Sequence, residues 1–200
     1  MKWNDVTLRQ FLELQKLLEI EDEQDRLVAV AELLLGEEVT DLPLSEFTKK
    51  VKELDFLKEE IPETHIVKTV KVNDRKYEID AVLGHISTAQ YIDFINYSKQ
   101  ENKFAEMLSV FFIPKGHKYN DGYDMSQVIE DMYELPIDIV HSESFFFSKQ
   151  FNKFIQIFQS YSLKSIEETN LPKDVKENLK TVVTNSVNLA FSPSYLSSVK

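Results

Sequence analysis

One helix start is written twice in this chain. Residues Val6-Thr7-Leu8-Arg9-Gln10-Phe11-Leu12-Glu13 and Ile86-Ser87-Thr88-Ala89-Gln90-Tyr91-Ile92-Asp93 share a single pattern: a β-branched residue, a hydroxyl, two free positions, Gln, an aromatic, an aliphatic and an acid. In each, the hydroxyl is spaced to cap the N–H three residues on, and the Gln is spaced to reach back to the cap's own N–H. The residue before the cap, Val6 or Ile86, is placed to staple onto Phe11 or Tyr91. The pattern therefore predicts helices opening at Leu8 and Thr88, and it carries no chemistry. Only 4 Gly and 6 Pro among 200 residues argue in the same direction, against a turn-dense all-β fold. With 42% hydrophobic residues, the chain has enough apolar surface to bury a core in one domain or two small ones.

Periodicity extends this reading along the chain. A first helix is expected from Leu8 to Ile20, with Leu8, Phe11, Leu12 and Leu18 inward. Asp22 is placed to cap a second helix carrying Leu27, Val28, Ala31, Leu34 and Leu35, and Gly36 stands where a left-handed C-terminal residue belongs. Pro43 suits the first turn of a third helix with Leu44, Phe47, Val51, Leu54 and Leu57 on its apolar face. Residues 65–72 and 75–82 alternate in strand fashion around an Asn73-Asp74 turn, the one convincing hairpin. Further helices are expected from Ser87 to Ser98, from Asn102 to Ile113, and after Asp124. The longest is expected from Pro136 to Tyr161, and the last after Asn170 and Pro172. The Ser- and Asn-rich tail from Asn185 reads as an extended arm that orders on a partner. The expected class is mainly α (α+β), a helical bundle of about seven helices with one β-hairpin. It divides into a three-helix unit at 1–60, a hairpin plus helical core at 61–165, and a C-terminal helix and tail at 166–200.

Charge and composition exclude several function classes. With a net charge of -11, the surface repels phosphate backbones, so nucleic-acid binding is not expected. The imbalance is concentrated at the front, where residues 1–63 hold 17 acids and 8 bases, a net of -9. From Tyr119 to Ser148 there are seven acids and no Lys or Arg, which adds to that repulsion. Without cysteine there is no disulfide, thiolate metal site or cysteine nucleophile. Asp5, Arg9 and Glu13 interrupt any apolar run at the N-terminus, and no stretch approaches the roughly 18 apolar residues of a membrane span. A cytoplasmic site of synthesis is expected.

Candidate sites are few. The four histidines, His65, His85, His117 and His141, have no metal-binding spacing. Adjacent acids such as Glu59-Glu60 and Glu167-Glu168 are what 34 acids produce by chance. Phosphate-loop, nucleophile-elbow and dinucleotide patterns are missing, and no cofactor is expected. The loop from Pro114 to Asp124 is the most irregular segment, and its candidate residues are His117, Tyr119, Asp121 and Tyr123. Asp121 and Asp124 flank Gly122, but the acid ladder and closing Glu of a calcium loop are absent. Phe147, Phe151, Phe154 and Phe158 fall at steps of four, three and four, on one helix face, with Phe145 and Phe146 just ahead. That stripe reads either as monomer core or as an interface, since aromatics are enriched in interface centres. Tyr77 and Ile79 on the hairpin are further interface candidates, because an isolated two-stranded ribbon must pack on something.

The order of segments also carries a resemblance. Leu8-Arg9-Gln10-Phe11-Leu12-Glu13-Leu14 comes first, then Leu42-Pro43-Leu44-Ser45-Glu46-Phe47, a short hairpin, and Gln90-Tyr91-Ile92-Asp93-Phe94. Val110-Phe111-Phe112-Ile113-Pro114-Lys115-Gly116, Tyr119-Asn120-Asp121-Gly122-Tyr123-Asp124 and Ser144-Phe145-Phe146-Phe147 follow. Over residues 1–150 this is similar to small acidic proteins from the tail and head–tail modules of tailed bacteriophages of Bacteroidetes, including crAss-like phages. The resemblance implies a non-enzymatic virion protein of the tail or portal-proximal region, in the role of ring, adaptor or cargo. Its partners would be other tail or portal proteins and further copies of itself. It would be found in the host cytoplasm during assembly and in the virion afterwards. A tail assembly chaperone that leaves before maturation is the alternative within that family. A helical enzyme or ligand-binding domain, with its site at the 114–124 loop beside Tyr91 and Asp93, is the alternative outside it.

Overall fold

The computed structural model describes residues 1–63, 67–79, 86–98, 100, 103–143, 160 and 162–187, the last six by backbone alone. The chain is mainly helical with a small three-stranded antiparallel sheet. It forms two compact units: residues 1–80 with 87–143, and residues 81–86 with 144–200.

The first unit opens with a short 3-10 turn at Trp3–Asp5 and then α1 (Leu8–Leu17). Both halves of the first capping box are made. Thr7 Oγ1 accepts from the Gln10 N–H at 3.2 Å, and Gln10 Oε1 accepts from the Thr7 N–H at 3.0 Å. α2 (Glu23–Leu35) starts under Asp22, whose carboxylate accepts the N–H groups of Gln24 and Asp25, and it ends at Gly36 with φ 67. α3 (Leu44–Lys52) follows Pro43, which sits at the cap just outside the first turn. A 3-10 turn at Asp55–Lys58 comes next.

The inward faces differ from the sequence reading in detail. Leu14, not Leu12 or Leu18, completes the buried face of α1, and Leu18 is 47% exposed. α1 closes at Leu17, one turn before Ile20, so Leu18 lies past the last turn. In α2 the buried set is Val30, Ala31 and Leu34, while Leu27 stays exposed. α3 stops at Lys52 and buries none of its residues, with Leu44 79% exposed.

β1 (Thr69–Val72) and β2 (Arg75–Ile79) form the predicted hairpin. Asn73 and Asp74 both take positive φ, 46 and 63, as a two-residue turn that matches the strand twist requires. α4 (Thr88–Ser98) starts under the second capping box, with Ser87 and Gln90 bonded reciprocally at 3.2 and 2.8 Å. α5 is only Phe104–Ser109, and all six of its residues are buried. The expected helix to Ile113 gives way to β3 (Phe112–Pro114), which pairs with β2 and makes β2 the central strand. A short apolar run has no decisive period, and the aromatic and β-branched Phe112-Ile113 favours the pleated surface. Pro114 suits an edge strand, where its missing N–H breaks no inner ladder.

α6 (Met125–Tyr133) is capped by Asp124, and residues 137–143 form α7. Two backbone bonds join the beginning of the chain to the α6–α7 junction: Leu8 N–H to Leu135 C=O and Ile137 N–H to Val6 C=O, both 2.8 Å. The Trp3 indole donates to Glu59 C=O at 3.1 Å and packs edge-on against Phe56. Residue 60 therefore lies inside a compact unit. The core centres on Phe11, Tyr77, Leu108, Phe111, Phe112, Met132, Leu135 and Ile137, each at most 2% exposed.

The second unit contains helical residues 162–168 and α8 (Lys173–Val187). α8 runs past Asn185, where the sequence reading begins the tail. Among the described residues no helix is long and apolar enough to cross a membrane.

Candidate functional site: a caged carboxylate beside a cationic cleft

α6 places Asp131 on the face turned toward the hairpin, with a side chain that is fully buried. A lone buried carboxylate is prohibitive, so its surroundings must supply donors. The hairpin supplies three. Arg75 Nε and Nη2 reach Asp131 Oδ2 and Oδ1 at 2.6 and 2.9 Å, a two-point clamp. Asn73 Nδ2 donates to Oδ1 at 3.0 Å, and the Tyr77 hydroxyl donates to Oδ2. From α6 itself, Gln127 Nε2 approaches Oδ1 at 3.4 Å, one helical turn away. Arg75 and Tyr77 converge because alternate residues of a strand share one face, and Asn73 reaches in from the turn.

Burial by itself raises the Asp131 carboxyl, but the bonds from Arg75, Tyr77 and Asn73 outweigh it and hold the group below the usual carboxylate range. Burial and the same carboxylate push the Tyr77 phenol up, so it stays a donor. The arrangement is chemically quiet, with an anion saturated by donors and a phenol fixed in its protonated form. It pins the hairpin to α6.

Beside this cage lies a cleft of about 480 Å³ lined by β2, the 114–124 loop and the start of α6. Arg75, Lys76, Lys115 and His117 contribute its polar wall, and Pro114, Tyr123 and Val128 its apolar one. The Lys115 N–H donates to Lys76 C=O at 2.8 Å, which sets the two lysines side by side at the end of the sheet. The one acid in the lining, Asp124, already accepts the N–H groups of Ser126 and Gln127.

The sequence-derived candidates separate on this frame. His117 and Tyr123 line the cleft and meet edge-on with ring centroids 5.7 Å apart. Tyr123 has a buried hydroxyl that makes no hydrogen bond of normal geometry among the described residues. Burial pushes its phenol up, offset in part by the Asn120 backbone amide. Asp121 stands 4.0 Å from His117 Nδ1, on the exposed side of the loop. Tyr119 turns away and donates to Asp93 Oδ2 at 2.7 Å, which moors the loop to α4. Burial first and that bond second push the Tyr119 phenol up.

Tyr77 and Ile79, read from sequence as interface candidates, are 0% and 8% exposed. β3 and α6 give the hairpin cover within its own unit, so these side chains belong to the chain's own core. Phe145, Phe146, Phe147, Phe151, Phe154 and Phe158 lie outside the described residues. Among the described residues no group of three or more His, Cys, Asp or Glu side chains is placed to hold a metal ion.

Sequence reasoning missed Asp131 and its partners Asn73, Arg75 and Gln127, and it singled out Tyr77 in another role. The available signal was an acid in mid-helix, within the cation-free stretch from Tyr119 to Ser148, flanked by the apolar Val128 and Met132. Arg9 does for the exposed acids of α6 what Arg75 does for the buried one, reaching Glu130 and Glu134 at 2.8 Å each.

Compared with protein-family models, with curated proteins and with solved structures, this chain has no match.

Proposed function

We propose that this chain is a non-enzymatic bacteriophage virion protein of the tail or portal-proximal region, a ring, adaptor or cargo component that works through protein–protein contacts. The observation that carries the reading is α3. Its apolar positions Leu44, Phe47 and Val51 recur at helical spacing, yet no residue of the helix is buried and Leu44 is 79% exposed. Phe47 and Val51 are half-buried, and a helix that leaves Leu44 in water beside them is suited to a partner. The Asp131 cage agrees with this, since its donors and acceptor are used to fix architecture. The context of tail or portal comes from the resemblance over residues 1–150.

Quantitative mass spectrometry of purified particles of the source phage tests the proposal. A fixed copy number relative to the portal is the expected result. Presence in the infected lysate but not in particles would replace it with the assembly-chaperone reading, and absence from both would remove the phage context. Alanine at His117, Asp121 and Asp124 addresses an enzymatic alternative, in which activity would fall while assembly stayed intact.

A further inference from the structure

We infer that the cationic cleft is a docking site for the acidic α1–α2 corner of a second copy of this chain, in a head-to-tail contact. The inference rests on the multi-copy assembly proposed above and names the two surfaces that build it. On one side stand Lys76 and Lys115, adjacent through their backbone bond and exposed. Neither makes an ion pair among the described residues, which is equally true of Lys2, Lys49, Lys52, Lys68 and Lys118; what sets Lys76 and Lys115 apart is that they stand together in the lining of one cleft. Beside them, the Arg75 guanidinium faces Asp131 on one edge and is 45% exposed.

On the other side is the corner between α1 and α2, with Glu19, Glu21, Asp22, Glu23 and Asp25 inside seven residues, all exposed. Asp22 caps α2 and Glu23 and Asp25 stand in its first turn, which leaves Glu19 and Glu21 without such a role among the described residues. None of Glu19, Glu21, Glu23 and Asp25 forms an ion pair among the described residues. In a chain of net charge -11, two copies repel on average, so a contact is favoured where a local cation cluster such as this one faces an acidic corner. The two surfaces lie on different elements, so the contact is heterologous, the kind that closes into a ring when the rotation between neighbours allows it.

The test uses the full chain in analytical ultracentrifugation at 50 and 500 mM NaCl. The wild type is expected to show a concentration-dependent rise in sedimentation coefficient at low salt and to run as a monomer at high salt. Lys76→Glu with Lys115→Glu, and separately Glu19→Lys with Glu21→Lys, should each run as monomers at low salt. All four positions are exposed, and matching thermal unfolding curves establish that the variants fold. Mixing the two variants should restore association, because the reversed corner fits the reversed cleft. A monomeric wild type at low salt, persistent association of either variant, or a mixture that stays monomeric overturns the inference. The particle measurement stays separate. A monomeric wild type found in virions removes only the self-docking contact, and a self-associating chain missing from virions removes only the phage role.

Discussion

Asp131 shows how much a single buried charge can organise. Deleting one member of a buried, hydrogen-bonded charge set typically costs about 3–5 kcal/mol, since the groups left behind lose their partner in a desolvated place. Asp131→Ala should therefore lower stability by about 3 kcal/mol in urea unfolding, with a smaller loss for Asp131→Asn, which keeps one acceptor. Glu143 poses the opposite case. It is 1% exposed, one oxygen accepts the Val67 N–H at 2.9 Å, and the other makes no hydrogen bond among the described residues. Burial pushes its carboxyl from 4.5 up to about 7, offset in part by the Val67 amide. A raised acid binds its proton more tightly folded than unfolded. The stability it contributes is complete below about pH 4.5 and is lost as pH rises through about 7. Glu143→Gln keeps the acceptor and removes the titration, so it should gain on the order of 3 kcal/mol over the wild type at pH 8 and close to nothing at pH 4. His141, depressed by burial, contributes with the opposite sign, but it is present in both proteins and cancels in their difference, which isolates Glu143. A difference that does not change with pH would show that the carboxyl is not perturbed.

Among the elements, the two capping boxes form a natural experiment. Their local bonds are the same, so Thr7→Ala and Ser87→Ala should each cost about 1 kcal/mol. The starts lie on separate elements with no shared partner, so the double variant should match the sum within about 0.5 kcal/mol. The glutamines should not behave alike. Gln90 is buried and its amide also donates to Val110 C=O at 3.0 Å, while Gln10 is only half-buried. Gln90→Ala leaves a buried carbonyl without its donor and should cost about 2 kcal/mol, clearly more than Gln10→Ala. Gly36 closes α2 in the left-handed region at φ 67, with nothing within 4 Å of where a Cβ would stand. Gly36→Ala should thus cost about 1 kcal/mol from backbone strain alone. Caps, the Asn73-Asp74 turn and Gly36 were all legible in the sequence because each is a contract between residues no more than five apart. β3 was not, because its partner β2 is more than thirty residues away and the run itself suits helix or strand equally.

For the whole molecule, the decisive contacts join distant segments. The 1–60 helices look separable in the sequence, but Leu8 and Val6 bond the backbone on either side of Pro136, and Arg9 bridges to α6. A fragment starting at residue 61 would lose these bonds and expose Leu135 and Ile137, both fully buried in the intact chain. It should lack the dispersed amide spectrum of a packed protein. A well-folded fragment would mean that the 1–60 boundary is real.

Local spacing by itself determined where helices begin, where α2 ends, and that Asn73-Asp74 folds back on itself, since caps and turns are settled by neighbours a few bonds away. It also set the charge problem, a run of acids without a cation. Only the tertiary structure decided the answer. It brought Arg75 to Asp131 and Arg9 to Glu130 and Glu134, turned Tyr77 and Ile79 into the core, and left Leu44 in water. Those outcomes depend on which surfaces meet across the chain, and burial energy, unlike a cap, is fixed by the partner and not by the residue alone.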